Sequence, residues 1–383
     1  MARLSTTLSF LGLAAMVAAR KCQELTICLD VSATNQVFNL ATPKTDIDVT
    51  NILLELTKQG GSFVSDITTG EAQVGGQYEL AATYCEPDGG NATVLQVLTH
   101  GIGFDRSYWD FPANNHNYSY TKTAVDDYGY ATLAFDRLGV GASSHGEPVS
   151  EIQQTLELAA LRALTERLRA STIPGLEYKR FKKIVHVGHS FGAIQTYGLT
   201  VNDSGCSLSD GIVLTGFTQN ATFLPYFVLG GGFVQANSLP GLSHYALGYV
   251  APASVSGGQV NFFAPGAFDP EILRAAYQGG QPAALGELLT IGGSTGLPSS
   301  FTGPALVVTG DRDIPFCGGN CSATGNPALK SILDTSASFL QAASPFESYV
   351  VAGAGHGLAL EYSHVETTGK ILDFFVKNGL AAR

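Results

Sequence analysis

Charge is what this sequence has least of. Only 14% of its 383 residues are Asp, Glu, Lys or Arg, while 45% are hydrophobic. That balance excludes a disordered chain and provides for a sizeable core. The few charges lean acidic, 32 Asp and Glu against 21 Lys and Arg for a net −11, so neither nucleic acid nor an anionic membrane surface is expected as a partner. No apolar run reaches the ~20 residues that a membrane-spanning helix needs, so stable membrane insertion is not expected either. The C-x-x-C pairs with neighbouring histidines that hold structural zinc are missing, and no metal or cofactor is implied. Internal repeats, low-complexity tracts and linkers are also lacking, which leaves one domain with an insertion as the economical architecture.

The first residues carry a leader pattern: Arg3 as a positive start, an apolar core from Leu8 to Val17, and small residues at Val17-Ala18-Ala19. This reads as a secretory signal removed near Ala19, with 20–383 as the mature domain. All six cysteines (Cys22, Cys28, Cys85, Cys206, Cys317, Cys321) follow that point. An even number in a secreted chain predicts up to three disulfides, each worth roughly 2–4 kcal/mol. Five N-x-S/T sequons at Asn91, Asn117, Asn202, Asn220 and Asn320 agree with a eukaryotic secretory route and glycosylation. The expected location is extracellular.

The chain is organised around Lys183 to Ala193. A β-branched strand breaks at Gly188, turns through Ser190 and resumes as a helix, with Gly188 and Gly192 flanking the serine. A serine on such a strand-to-helix turn has its Oγ beyond the sheet edge, facing the first amides of the helix. Residues 22–90 read as short strands and turns, with Gln36 to Leu40, Ser62 to Thr69 and Gln77 to Cys85 as strand candidates. Further strands are expected at Thr93 to Leu98, Tyr130 to Phe135, Asp210 to Thr215, Pro304 to Thr309 and Phe346 to Val351. Helices are expected at Pro148 to Ala170 and Thr367 to Asn378.

From Gly211 to Phe268 there is not one Asp, Glu, Lys or Arg, whereas Phe and Tyr recur and glycines interrupt every apolar run. Short helices are expected just beyond, at Asp269 to Gly286 and Glu287 to Thr290. We read roughly 217–300 as an apolar lid over the site, with an ordinary buried subdomain as the alternative.

A serine hydroxyl needs a base, and the base an orienting carboxylate. Glycine-flanked candidates follow two late strands: Asp311 and Asp313 in Gly310-Asp311-Arg312-Asp313, and His356 in Gly353-Ala354-Gly355-His356-Gly357. The order Ser190, acid, His356 places all three at strand ends, where α/β folds carry their sites.

With His100-Gly101-Ile102-Gly103, Asp136-Arg137-Leu138-Gly139-Val140-Gly141-Ala142-Ser143, the Gly188–Gly192 turn and Gly355-His356, the chain resembles an α/β-hydrolase over roughly 93–215 and 303–380. It is similar to secreted lipase/esterase-like members from filamentous fungi. The resemblance implies an α/β fold with a mostly parallel central sheet flanked by helices, and a triad of Ser190, His356 and Asp313, with Asp311 as the other candidate acid. Members that open epoxides or remove halide carry Asp at the nucleophile position, so Ser190 argues against both activities. The resemblance further implies an oxyanion hole from the Phe191 backbone N–H and a second one at Ile102, with Gly103 as runner-up, and structural roles for His100 and His189. Asp136, Arg137 and Trp109 are expected to brace the loop beneath the site. The implied activity is hydrolysis through the serine, and the uncharged aromatic lid segment suggests a small apolar or aromatic ester or lactone as its substrate. A lyase or cyclase on the same scaffold, or a binding protein, are the rival readings.

Overall fold

The structure is a computed structural model and describes residues 20–90, 92–201 and 208–382. The leader 1–19, Cys206 and the sequons at Asn91 and Asn202 lie outside the described residues.

Two long strands open the chain. β1 (Arg20–Phe38) and β2 (Thr68–Pro87) run antiparallel, from Arg20 opposite Pro87 to Phe38 opposite Thr68. Cys22 and Cys85 sit directly opposite one another and are disulfide-bonded. The helix Asp46–Leu56 lies between the strands, started by a capping box in which Thr45 and Asp48 satisfy each other's backbone amides. This corrects the expectation of short strands across 22–90. The segment Ser62 to Thr69 is also not a strand: Phe63–Ile67 forms a helical turn before β2 begins. β2 runs unbroken through Gly75-Gly76, and a Cβ at Gly75 would lie 2.7 Å from the Val31 carbonyl oxygen. The glycine is there to let β1 approach, not to end β2.

The remaining strands of the main sheet are β3 (Val94–Thr99), β4 (Ala131–Phe135), β5 (Lys183–His189) and β6 (Ile212–Thr215). After a small antiparallel sheet of β7 (Phe233–Gln235), β8 (Tyr249–Pro252) and β9 (Ala283–Ala284) come β10 (Ala305–Gly310) and β11 (Phe346–Val351). The main sheet has the order β1-β2-β4-β3-β5-β6-β10-β11. It is antiparallel as far as β4 and parallel from there to β11.

The parallel strands β3, β4, β5, β6 and β10 are buried almost end to end, as a sheet covered on both faces requires. Alternate residues split between two cores. On β3, Val94 and Leu98 face one and Leu95 and Val97 the other. The helix Gln154–Ala170 buries Leu156, Leu161, Leu164 and Leu168 in one of them. It starts later than Pro148, because residues 148–153 form turns in which the buried Gln153 amide reaches back to the Gln36 carbonyl at 2.8 Å. The closing helix, His364–Lys377, begins three residues earlier than expected.

Of the six cysteines, four form Cys22–Cys85 and Cys317–Cys321, while Cys28 is exposed and free. The segment 217–300 holds the small sheet and the helices Leu224–Gly230, Val255–Phe262, Pro270–Gln278 and Leu285–Leu289. Among the described residues, no helix is long and apolar enough to cross a membrane.

Candidate active site

β5 ends at His189 and a helix starts at Phe191, which leaves Ser190 alone to turn the chain at φ +54°. A non-glycine residue there is strained, and its neighbours show why it is held. A Cβ at Gly188 would lie 2.3 Å from the Gly192 carbonyl oxygen, and one at Gly192 would lie 2.3 Å from that of Thr99. Only glycine fits either position, so the elbow is closed by backbone packing. Ser190 N–H donates to the Thr215 carbonyl at 2.8 Å, and the serine is 8% exposed.

The loop after β10 supplies the carboxylate. Asp313 caps the helical turn Ile314–Cys317, accepting the Phe316 N–H on Oδ1 at 2.8 Å. Its Oδ2 accepts the Thr309 hydroxyl at 2.5 Å and His356 Nδ1–H at 2.7 Å. That contact assigns the proton to Nδ1 and leaves Nε2 as the acceptor for the Ser190 hydroxyl, 2.8 Å away. All three side chains are buried. Asp311 stays apart: it makes no hydrogen bond to His356, and its Oδ1 is buried without a partner. The structure therefore brings together Ser190, His356 and Asp313, and leaves Asp311 out.

Ile102 and Phe191 line the small cavity at Ser190, and among the described residues neither amide has a hydrogen-bond acceptor. Gly103 faces a different, larger space. His100 holds this loop, with Nδ1 toward the Gly101 carbonyl at 2.8 Å and Nε2 accepting the Arg137 N–H at 3.1 Å. Burial pushes His100 and His189 well below the ordinary histidine value, with the charge of Arg137 adding at the first and that of His356 at the second. Both stay neutral beneath the site. His189 stacks flat on Tyr108, with ring centroids 4.5 Å apart. Asp136 accepts the amides of Arg106 and Ala142, each at 2.9 Å, and pairs with the Arg106 guanidinium. Trp109 is buried against Tyr108 and Tyr120.

Three features of this region escaped the sequence reading. Glu361, fully buried, accepts the Gly355 N–H and the Ala264 N–H at 2.6 Å each, joining the His356 loop to the segment 217–300. Burial pushes its carboxyl up to about 7, the two amides opposing and the charges of Asp313 and Asp311 adding. Arg137 pairs with both Glu157 and Glu287 in a fully buried cluster. Phe262 lies over the His356 ring at 6.1 Å and 20°. The two acids had a signal, since Leu360-Glu361 and Leu285-Gly286-Glu287-Leu288 each set one charge in an apolar run. Phe262 had none.

Residues 96–367 match the Alpha/beta hydrolase family. No curated protein matches the sequence. Among solved structures, a thermophilic esterase from Thermogutta terrifontis is 17% identical, with a TM-score of 0.54 over 79% of this chain and 94% of that one. An esterase from Exiguobacterium antarcticum is 13% identical, with a TM-score of 0.50 over 78% and 95%. A hypothetical protein from Pseudomonas aeruginosa is 14% identical, with a TM-score of 0.50 over 99% and 100%. With its sheet order, its elbow and a family match over most of its length, the chain belongs to the alpha/beta hydrolase family.

Proposed function

We propose that the chain is a secreted serine hydrolase that cleaves carboxylic esters of an apolar substrate, of the lipase/esterase-like kind. The observation that carries this reading is the unbroken relay from Ser190 Oγ to His356 Nε2 and from Nδ1 to Asp313. In this reading Ser190 attacks the ester carbonyl while His356 takes its proton, and Asp313 holds the imidazole and balances its charge. The amides of Ile102 and Phe191 receive the oxyanion, each donor contributing roughly 2.7–4 kcal/mol. His356 returns the proton to the departing alcohol, and the acyl group stays on Ser190 until water, activated by the same imidazole, releases it.

The segment 217–300 acts as the lid. Its Leu224, Phe227 and Ile291 close over Ser190, where the free space is about 10 Å³, one water's worth. Secretion is supported by the leader composition, by the two disulfides, and by the exposure of Asn117 and Asn320, with Asn220 half-buried.

The test is turnover of p-nitrophenyl esters by the wild type and by Ser190→Ala. Loss of the nucleophile is expected to lower kcat by on the order of 10³-fold or more without altering the fold. A wild type inactive on every ester and unlabelled by a fluorophosphonate would overturn the reading.

A further inference from the structure

The cavity at Ser190 cannot hold an acyl chain, but a chamber of about 330 Å³ lies close by, within the size range of small-molecule sites. Its walls include Phe104, Leu242, Phe262, Phe263, Leu273 and Ala276, and no charged side chain lines it. It opens to solvent past Pro240 and Gln278, and Tyr277, Gln278 and Gln281 set a few polar groups among its apolar walls, the make-up of a preformed small-molecule site.

Phe262 separates this chamber from the relay. Its ring lines the chamber, stacks over the His356 imidazole, and also lines a second space that includes His356 and Gly355. At the oxyanion loop the ring edge abuts Gly103, where φ is +86° and a Cβ would lie 3.0 Å from Phe262 Cζ. The backbone of Phe262 is not free to swing, because its carbonyl accepts the Gly357 N–H at 2.6 Å and Glu361 holds Ala264 two residues on. What can move is the side chain. The ring belongs to the walls of both the chamber and the space lined by Gly355 and His356, so its rotation about χ1, with no hinge, joins the two.

We propose that this chamber binds the apolar acyl chain of the substrate ester, and that the Phe262 ring is the partition that opens onto it and sets acyl-chain specificity. The proposal rests on the ester-hydrolase reading for the chemistry, but not for the binding. The chamber draws on the scaffold only through Gly103 and Phe104; the segment 217–300 supplies the rest. The alcohol half of the ester stays outside.

The experiment compares kcat/KM on p-nitrophenyl acetate, butyrate, octanoate and decanoate for the wild type, Ala276→Trp, Leu273→Ala and Phe262→Ala. Filling the chamber with Ala276→Trp should lower the decanoate-to-acetate ratio at least tenfold, while Leu273→Ala should move the optimum to longer chains. Phe262→Ala, with the partition gone, should raise the octanoate-to-acetate ratio severalfold. An unchanged ratio in folded Ala276→Trp together with an unmoved optimum in Leu273→Ala overturns the proposal and leaves the hydrolase reading standing. Decanoate binding to Ser190→Ala, followed by calorimetry, separates the two ideas. Binding that Ala276→Trp abolishes upholds the chamber even if no ester is ever turned over, and absence of binding to Ser190→Ala overturns it.

Discussion

The parallel strands and the segment 217–300 meet at the same site but are held in place by different physics. On the sheet side, position is set by backbone fit. Gly188, Gly192 and Gly310 each sit where a Cβ would come within 2.3 Å of a carbonyl oxygen, and the three candidate catalytic side chains follow from these turns. On the other side, Phe227, Phe233, Phe262, Phe263 and Leu273 pack through their rings and branches, on a backbone interrupted by Gly230-Gly231-Gly232. Backbone fit tolerates no substitution and holds a hydroxyl to a fraction of an ångström. Apolar packing tolerates many, and leaves a chamber of about 330 Å³. On the proposed reading, bond cleavage falls to the sheet and discrimination to the insertion.

The sharpest way to break the separation is at a buried ionic joint between the two parts. Arg137, after β4, pairs with Glu157 on the helix Gln154–Ala170 and with Glu287 inside the segment 217–300, and Gln195 donates to Glu157 at 3.0 Å. Burial already raises the Glu157 carboxyl well above its ordinary value, with Arg137 opposing and Glu287 adding. Arg137→Met would leave two carboxyls facing each other with no cation, at a cost of about 3–5 kcal/mol in chemical unfolding. Replacing all three by Met, Leu and Leu should recover most of that loss, because the desolvation of the charges disappears with them. A triple variant as unstable as Arg137→Met would show that the joint does more than balance buried charge.

How much was legible follows the same division. The elbow, the His356 loop and the sheet strands could be read because glycine spacing and buried β-branched runs are local requirements of the backbone. Asp313 could not be told from Asp311 by spacing, since both follow β10. The choice is made by the Thr309 hydroxyl and the Phe316 amide, which only the folded loop brings to Asp313. The β1–β2 ribbon was hidden by Asp30, Ser32 and Thr34, polar residues on the exposed face of a half-buried strand. Phe262 and Glu361 owe their significance to contacts across 94 and 97 positions of chain, with His356 and Ala264. No periodicity carries that information.

The next test is on Glu361, the carboxylate that fastens the His356 loop to the insertion. Its folded value, about 7, lies above the ordinary 4.5 of an unfolded glutamate, so between these limits the folded chain holds a proton that the unfolded chain has released. Stability from this group is therefore fully present below about pH 4.5 and is lost as pH rises through about 7, by roughly 3 kcal/mol at most. Asp313 and Asp311 face the same carboxyl and add their charge to the effect. Glu361→Gln, which cannot ionise, should flatten that part of the Tm-against-pH curve. It should also weaken one of the two amide contacts and lower kcat more than it raises KM. A wild-type Tm that climbs steadily from pH 5 to 8, with an identical curve for Glu361→Gln, would remove the carboxylate from the account.

The smallest predicted effect is the difference between one leucine from each side. Leu214, on β6, is wholly buried among close-packed strands, and Leu214→Ala should cost about 2–5 kcal/mol, the transfer of its lost methyl groups plus the cavity left behind. Leu273, on the helix Pro270–Gln278, is nearly as buried by area but presents part of its side chain to the 330 Å³ chamber. Those atoms have few partners to lose, and the space they leave merges with one already open. Leu273→Ala should therefore cost only about 1–2 kcal/mol, below the usual range for a buried leucine. Equal losses from the two substitutions, measured by urea unfolding, would mean that the chamber collapses around its lining as a core does. Discrimination would then rest on a surface as rigid as the elbow, and the contrast between the two halves of the site would be one of position alone.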